Sequence, residues 1–344
     1  MKLILYIGEL MIKTVISGYY GYKNFGDELI LSVLVEHLKK HNCDITVLSG
    51  DTQYTNSTHN VKSIDRYNIK EVIFFIKNSD ILISGGGSLL QDVTSLKSLV
   101  YYSVILALGI IFNKKIIIFA QGIGPIKSKF ANIIVRNLLK NCTYISVRDE
   151  KSYNLLKNWN IKSELLCDPV YSLKTDTVKE KNGVGIQLRD FSTMNYNLLQ
   201  KLAMLCCSKF NDKKIKIFSL QKAQDHEICK KFQKIILNIN PDIETEIIEN
   251  NILKEISGLE YMIGMRFHAL LCAIKYGVKT CAINYDIKVE QLATQAKIPV
   301  ISMDAKENFE EIFQNLKNQN TENIKNFAQS KTFDWTNFDK IINK

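Results

Sequence analysis

Residues 14–28 read Thr14-Val15-Ile16-Ser17-Gly18-Tyr19-Tyr20-Gly21-Tyr22-Lys23-Asn24-Phe25-Gly26-Asp27-Glu28. Four residues of strand composition enter a glycine- and tyrosine-rich turn, and a helical apolar pattern starts at Asp27. A strand that hands over to a helix through glycine is the opening unit of a parallel α/β sheet, where amides at the helix start can cradle an anion or a hydroxyl. The glycines fall at 18, 21 and 26, so the turn is not GxGxxG, and without a following GK[ST] it is not a Walker loop. Asp27 has two readings: a helix N-cap, or a carboxylate in a sugar-binding surface built with the aromatics around it.

The alternation continues outward from this unit. Apolar runs from Asp44, Asp80, Lys115 and Tyr144, separated by amphipathic stretches, predict a doubly wound domain over residues 11–175, preceded by an extension, 1–10, without an assigned role. After the polar stretch from Lys174 to Asn182, runs from Gly183, Lys214, Glu244, Tyr261 and Lys279 predict a second domain over residues 176–325. A tail, 326–344, carries Phe333, Trp335 and Phe338 and is expected to pack back on the first domain. The expected fold class is therefore α/β, two Rossmann-like domains facing a cleft, the architecture called GT-B.

Composition agrees with that size. The 344 residues exceed what one core supports, and 46 % apolar with 23 % charged residues excludes a disordered or fibrous chain. The formal charge of +10 divides into +6 up to Thr177 (21 basic, 15 acidic) and +4 beyond it (24 basic, 20 acidic). No dense basic tail results, which argues against nucleic acid as a partner. Eight cysteines without a CxxC pair, most in apolar runs, read as reduced buried thiols of a cytosolic protein. No run reaches the ~18 apolar residues of a membrane span, and Met1 to Leu10 lacks a signal-peptide cleavage site.

Two further glycine-rich stretches follow strands: Ser84-Gly85-Gly86-Gly87-Ser88-Leu89-Leu90-Gln91-Asp92 and Gln121-Gly122-Ile123-Gly124-Pro125. With the first loop they place Gly26, Gly86, Gly87, Gly122 and Gly124 at one edge of the sheet. Only five arginines occur, at 66, 136, 148, 189 and 266, so one at a strand end is notable. Arg148 ends the fifth strand, and its alternatives are a bidentate ligand contact or a salt bridge to Asp149 or another neighbour. Arg66 reads as exposed. The sharpest cluster is Met265-Arg266-Phe267-His268, between an apolar strand and an apolar helix, where the helix start favours an anion. Lys288 lies in another strand-to-helix loop. The other histidines, at 37, 41, 59 and 226, show no metal-ligand spacing, and no metal site is expected.

These motifs, taken together from Gly18 to Lys288-Val289 and including Asp168-Pro169, resemble the polysaccharide pyruvyltransferases, most closely their CsaB type. The resemblance spans about Met11 to Ala293. It implies a GT-B-like fold and transfer of pyruvate from phosphoenolpyruvate to a sugar as a cyclic ketal, with phosphate released and no cofactor. It further implies a lipid-linked acceptor with β-linked N-acetylmannosamine bridged at O4 and O6, in a secondary cell wall polymer precursor that later anchors surface-layer proteins. Donor positions map to Arg148, Arg266, His268 and Lys288. On chemical grounds His268 is the expected general acid and Asp27 the base or orienting acceptor, with Tyr19, Tyr20, Asn24, Asp27 and Gln91 on the acceptor side. The expected location is the cytoplasm, at the inner face of the membrane when surplus lysines touch it. Two other functions fit less of the sequence: a nucleotide-sugar glycosyltransferase, and a non-catalytic glycan-binding protein, which would not need the Arg, His and Lys set.

Overall fold

The computed structural model describes residues 11–93, 95–175, 181–191 and 195–343. The expected extension, 1–10, and residues 176–180 of the expected linker lie outside them. The chain forms two compact units. The first comprises the described residues up to Tyr22, Asp27–Pro169 and those from Phe333 on; the second comprises Lys23–Gly26 and Val170–Thr332.

In the first unit the strands are β1 (Ile12–Ser17), β2 (Cys43–Ser49), β3 (Lys62–Asp65), β4 (Ile81–Ser84), β5 (Gly87–Leu90), β6 (Lys115–Ile123), β7 (Tyr144–Val147) and β8 (Glu164–Leu165). Their order is β3-β2-β1-β4-β6-β7-β8, with β5 also paired to β6. In the second unit β9 (Val184–Gln187), β10 (Ile215–Phe218), β11 (Thr245–Ile248), β12 (Tyr261–Gly264), β13 (Lys279–Asn284) and β14 (Val300–Ser302) run in the order β11-β10-β9-β12-β13-β14. Pairing is parallel in both, with Ser17 opposite Ser84 and Gly264 opposite Gln187. Each order reverses beside its first strand, between β1 and β4 and between β9 and β12, where Rossmann-like sheets hold ligands beyond the strand ends.

β4 is buried along its whole length and β6 from Ile116 to Ile123, which is why β4 and the first half of β6 read as apolar runs. In the second unit the core gathers Leu202, Ile217, Phe232, Ile263 and Ile283, each at 0 % exposure. Truncating Phe232 to alanine there would cost ~3–5 kcal/mol. Polar caps set the helix starts: Ser95 accepts from the Ser98 amide and Asp149 from the Ser152 amide.

Four elements depart from the sequence reading, and the tail adds a helix to it. The helix Thr52–His59 and β3 fill a stretch too polar to show a period. β5 lies inside the triple-glycine stretch, and β6 continues through Ile123, so Gln121 and Gly122 are strand rather than loop. The apolar tail forms the helix Thr336–Ile342, with Trp335 stacked on Phe119 and Phe338 edge-on to it. All eight cysteines are free, and five of them are buried. Among the described residues no helix is long and apolar enough to cross a membrane.

Candidate functional site

In the first unit, buried Gln121 organises the carboxyl edge of the sheet. Its side-chain amide donates to Ser84 Oγ and to the Gly85 carbonyl, both at 2.7 Å, fixing the turn that leads into Gly87. Gly87 has φ +102°, and a Cβ there would lie 2.8 Å from Asp27 Oδ1, so glycine is what lets the turn approach that carboxylate. Asp27 is half-buried and sits within the first turn of the helix Phe25–Lys39, so the N-cap reading is corrected. Asn24 does the capping instead: its Oδ1 accepts from the Gly26 amide at 3.2 Å.

Tyr20 is also a correction. It is wholly buried, with its ring packed against Gly18 and Gly85, so it supports the loop from beneath and offers no face to a sugar. Burial pushes its phenol well above the ordinary value, with Asp27 and Glu28 adding to the effect. Tyr19 remains half-buried and stacks on Tyr22, centroids 4.3 Å apart. Gly86 packs on Ile30, Gly124 takes φ +80°, and the half-buried Gln91 accepts from the Val93 amide at 2.8 Å.

Arg148 directly follows β7 and pairs with Asp168 at 2.5 Å, with side chains 10 % and 2 % exposed. The anticipated alternative, Asp149, is occupied in capping the next helix. Arg66, read as exposed, is instead 5 % exposed and surrounded by tyrosines. Its guanidinium carbon lies 4.1 Å from the Tyr101 ring centroid, 5.3 Å from Tyr102, 5.5 Å from Tyr22 and 5.7 Å from Tyr67. Nη1 donates to the Gly18 carbonyl at 3.1 Å and to the Tyr102 hydroxyl at 3.4 Å.

The second unit holds the other cluster. Arg266 follows β12, and its backbone amide donates to Gln187 Oε1 at 2.6 Å. Its guanidinium forms a fork with fully buried Asp225, Nε to Oδ2 at 2.9 Å and Nη2 to Oδ1 at 2.6 Å. Asp225 Oδ2 also accepts from the Leu220 and Gln221 amides, so the carboxylate is held from its own side and the geometry of the pair is fixed. His268 lies in the first turn of the helix Phe267–Lys275, half-buried. The segment Lys23–Gly26 belongs to this unit and closes on it: a Cβ on Gly26 would stand 2.1 Å from His268 Nδ1. The Phe25 amide donates to the Leu220 carbonyl at 3.1 Å, and Asn24 Nδ2 donates to Gln221 Oε1 at 3.3 Å, which seats the segment there.

Lys288 is in the first turn of the helix Ile287–Ala296, whose N-cap is Asp286, and not in the loop before it. Burial raises the Tyr285 phenol while Arg189 and Arg266 pull it down. Arg189, one of the five arginines and given no role from the sequence, thus joins this cluster, its guanidinium carbon 4.7 Å from the Phe191 ring centroid. The parallel register that puts Gly264 opposite Gln187 was its hidden signal.

The histidine reading needs one correction. His37 and His41 converge on Asp339 Oδ1, at 2.6 and 3.3 Å, and with it form the group among the described residues able to hold a metal ion. His37 stacks on Trp335 at 3.6 Å between centroids, and burial lowers its pKa against the upward pull of Asp339.

A family described as polysaccharide pyruvyl transferase matches residues 24–287. No curated protein matches the chain. Among solved structures, a Listeria monocytogenes protein described as a putative UDP-N-acetylglucosamine 2-epimerase superposes with TM-score 0.65 at 12 % identity, covering 94 % of this chain and 92 % of that one. Anabaena HepE in complex with UDP gives 0.64 at 11 % identity, covering 96 % and 98 %. A Rickettsia africae glycosyltransferase gives 0.62 at 12 % identity, covering 96 % of each chain. These likenesses establish the fold: two Rossmann-like sheets of the GT-B kind.

Proposed function

Because the chain belongs to the polysaccharide pyruvyl transferase family, we propose that it transfers the enolpyruvyl skeleton of phosphoenolpyruvate to a sugar, closing a cyclic ketal and releasing phosphate. The observation that carries this reading is the second-unit cluster: Arg266 locked by Asp225, His268 two residues on at a helix start, and Gly26 against the imidazole. A donor with a carboxylate and a phosphate needs directed N–H groups and positive charge held in place; Arg266, fixed by Asp225, supplies the first and Lys288 the second, with His268 as a proton-bearing partner.

The chemistry balances on these groups. His268 delivers a proton to C3 of the enol, giving C2 oxocarbenium character. A sugar hydroxyl adds to C2 as Asp27 takes its proton, the C–O bond to phosphate breaks as that proton passes to the departing phosphate, and the second hydroxyl adds to C2 to close the ketal while its proton returns to His268. Each proton transfer by a positioned group contributes roughly a hundred- to ten-thousand-fold in rate. No cofactor enters the scheme. The acceptor side is assigned to Tyr19, Asp27 and Gln91 of the first unit, with Asn24 acting through the Gly26 turn.

Within the family we assign the CsaB type, on the motif run from Gly18 to Lys288. The acceptor is then the β-linked N-acetylmannosamine of a lipid-linked secondary cell wall polymer precursor, ketalised across O4 and O6, at the cytoplasmic face of the membrane. Incubation with phosphoenolpyruvate and a synthetic lipid-linked disaccharide, read by phosphate release and product mass, tests the whole reading. Protection against thermal unfolding by UDP-sugars but not by phosphoenolpyruvate would replace it with nucleotide-sugar transfer.

A further inference from the structure

Of the three strand-end arginines described above, Arg66, Arg148 and Arg266, Arg66 is the most buried and forms no ion pair among the described residues. Its Nε is enclosed and has no hydrogen-bond partner. Burying a charge without a counter-ion costs several kcal/mol, and each aromatic face returns about 0.5–2 kcal/mol. A Leu or Met would fill the same space without that cost. The charge also persists: burial opposes it, but the oxygens of Tyr102 and Tyr101 hold the guanidinium above its ordinary value. The phenols do not neutralise it, since burial pushes Tyr102 up to about 12 and raises Tyr101 as well.

Position adds a second argument. Tyr22 lies beyond β1, Arg66 beyond β3, and the Arg66 amide donates to the carbonyl of Ser49, the last residue of β2, at 2.9 Å. The cluster therefore crowns the carboxyl ends of three adjacent parallel strands, the edge where such sheets take ligands. Tyr67, 65 % exposed, meets Tyr22 hydroxyl to hydroxyl at 2.5 Å, and Tyr22 carries the Tyr19 stack, so aromatic faces adjoin the cation.

We infer that Arg66 with Tyr19, Tyr22 and Tyr67 forms a subsite for an anionic saccharide: the sugar ring lies on the tyrosine faces, and its phosphate or carboxylate group is held by the guanidinium. That this saccharide is the acceptor rests on the function proposed above; that the subsite binds it does not. Tyr67 forms the exposed outer wall on which the sugar ring lies.

The test is a binding titration on the full chain, without turnover, using an N-acetylhexosamine phosphate, a hexuronic acid glycoside and the neutral methyl N-acetylhexosaminide. At least one charged sugar binds about tenfold tighter than the neutral one, and the stronger of the two identifies the anion as phosphate or carboxylate. Arg66→Gln removes that advantage and leaves the neutral glycoside unchanged, while Arg66→Lys keeps part of it. Equal affinity for all three sugars, or an unchanged preference in Arg66→Gln, overturns the subsite. Should Arg66→Gln fail to fold, Tyr67→Ala at the exposed wall weakens all three sugars severalfold, and no change there overturns it equally. Competition by phosphoenolpyruvate that disappears in Arg66→Lys would give the subsite to the donor and overturn the acceptor assignment alone. A chain that binds the sugar phosphate through Arg66 yet makes no ketal overturns the reaction and keeps the subsite.

Discussion

Arg66 in the first unit and Arg266 in the second solve the same problem, a guanidinium held at the carboxyl edge of a parallel sheet, in opposite ways. Arg266 is neutralised by Asp225, whose Oδ2 also accepts from two backbone amides, so the pair gives position more than net charge. Arg66 is held by a carbonyl, a phenol and four ring faces, none of which cancels its charge. A carboxylate-locked arginine suits a site that must be pre-organised for bond breaking, where displacement of an ångström is expensive. A tyrosine-held arginine keeps its electrostatic attraction for an incoming anion. Arg148, locked by Asp168, falls with Arg266 in this respect.

Changes around the two arginines should therefore diverge. The largest effect is expected at the second-unit cluster: His268→Ala lowers ketal formation by at least a hundredfold with an unchanged melting profile, and near-normal turnover would remove His268 as the acid. Next, Asp225→Ala, by leaving Arg266 buried without its partner, costs ~3–5 kcal/mol in denaturant unfolding. Gly26→Ala follows, because its methyl must displace the His268 ring; kcat falls about tenfold while stability changes by less than ~2 kcal/mol. Arg66→Met sharpens the contrast with Asp225→Ala, since filling that space with an apolar chain leaves stability within ~1 kcal/mol of wild type or raises it. A loss as large as that of Asp225→Ala would show that the two arginines are equivalent.

The smallest effect belongs to His37, where the first helix meets Asp339 of the tail. His37 titrates below its ordinary 6.5 in the fold, so the unfolded chain takes up that proton first. Its contribution is complete above about pH 6.5 and is lost as pH falls toward the folded value. The melting temperature should drop slightly between about pH 7 and 5 for this reason, and His37→Phe should flatten that slope.

The strand-to-helix alternation was legible because buried parallel strands such as β4 and β6 must be apolar on both faces. Thr52–His59 was not, since its hold is tertiary and polar: Asp51 caps it, and His59 pairs with Glu28 at 2.8 Å in the interior. The Arg266-His268 pair stood out as two polar groups between apolar elements. Arg66 did not, because Asp65, Tyr67 and Asn68 around it are polar, and the rings that bury it come from Tyr22 and Tyr101-Tyr102, distant in sequence. Tyr20 misled in the opposite direction: nothing local separates a tyrosine under a glycine loop from one on top of it.

The central claim is that the second-unit cluster activates phosphoenolpyruvate for transfer to a sugar. It is tested most directly by mixing the wild-type chain and His268→Ala with phosphoenolpyruvate and the lipid-linked disaccharide, and following phosphate and product mass together. The account predicts equimolar phosphate and ketal from wild type and neither from the variant. Wild type that releases no phosphate with a bound acceptor, or a variant that turns over as fast as wild type, would contradict it.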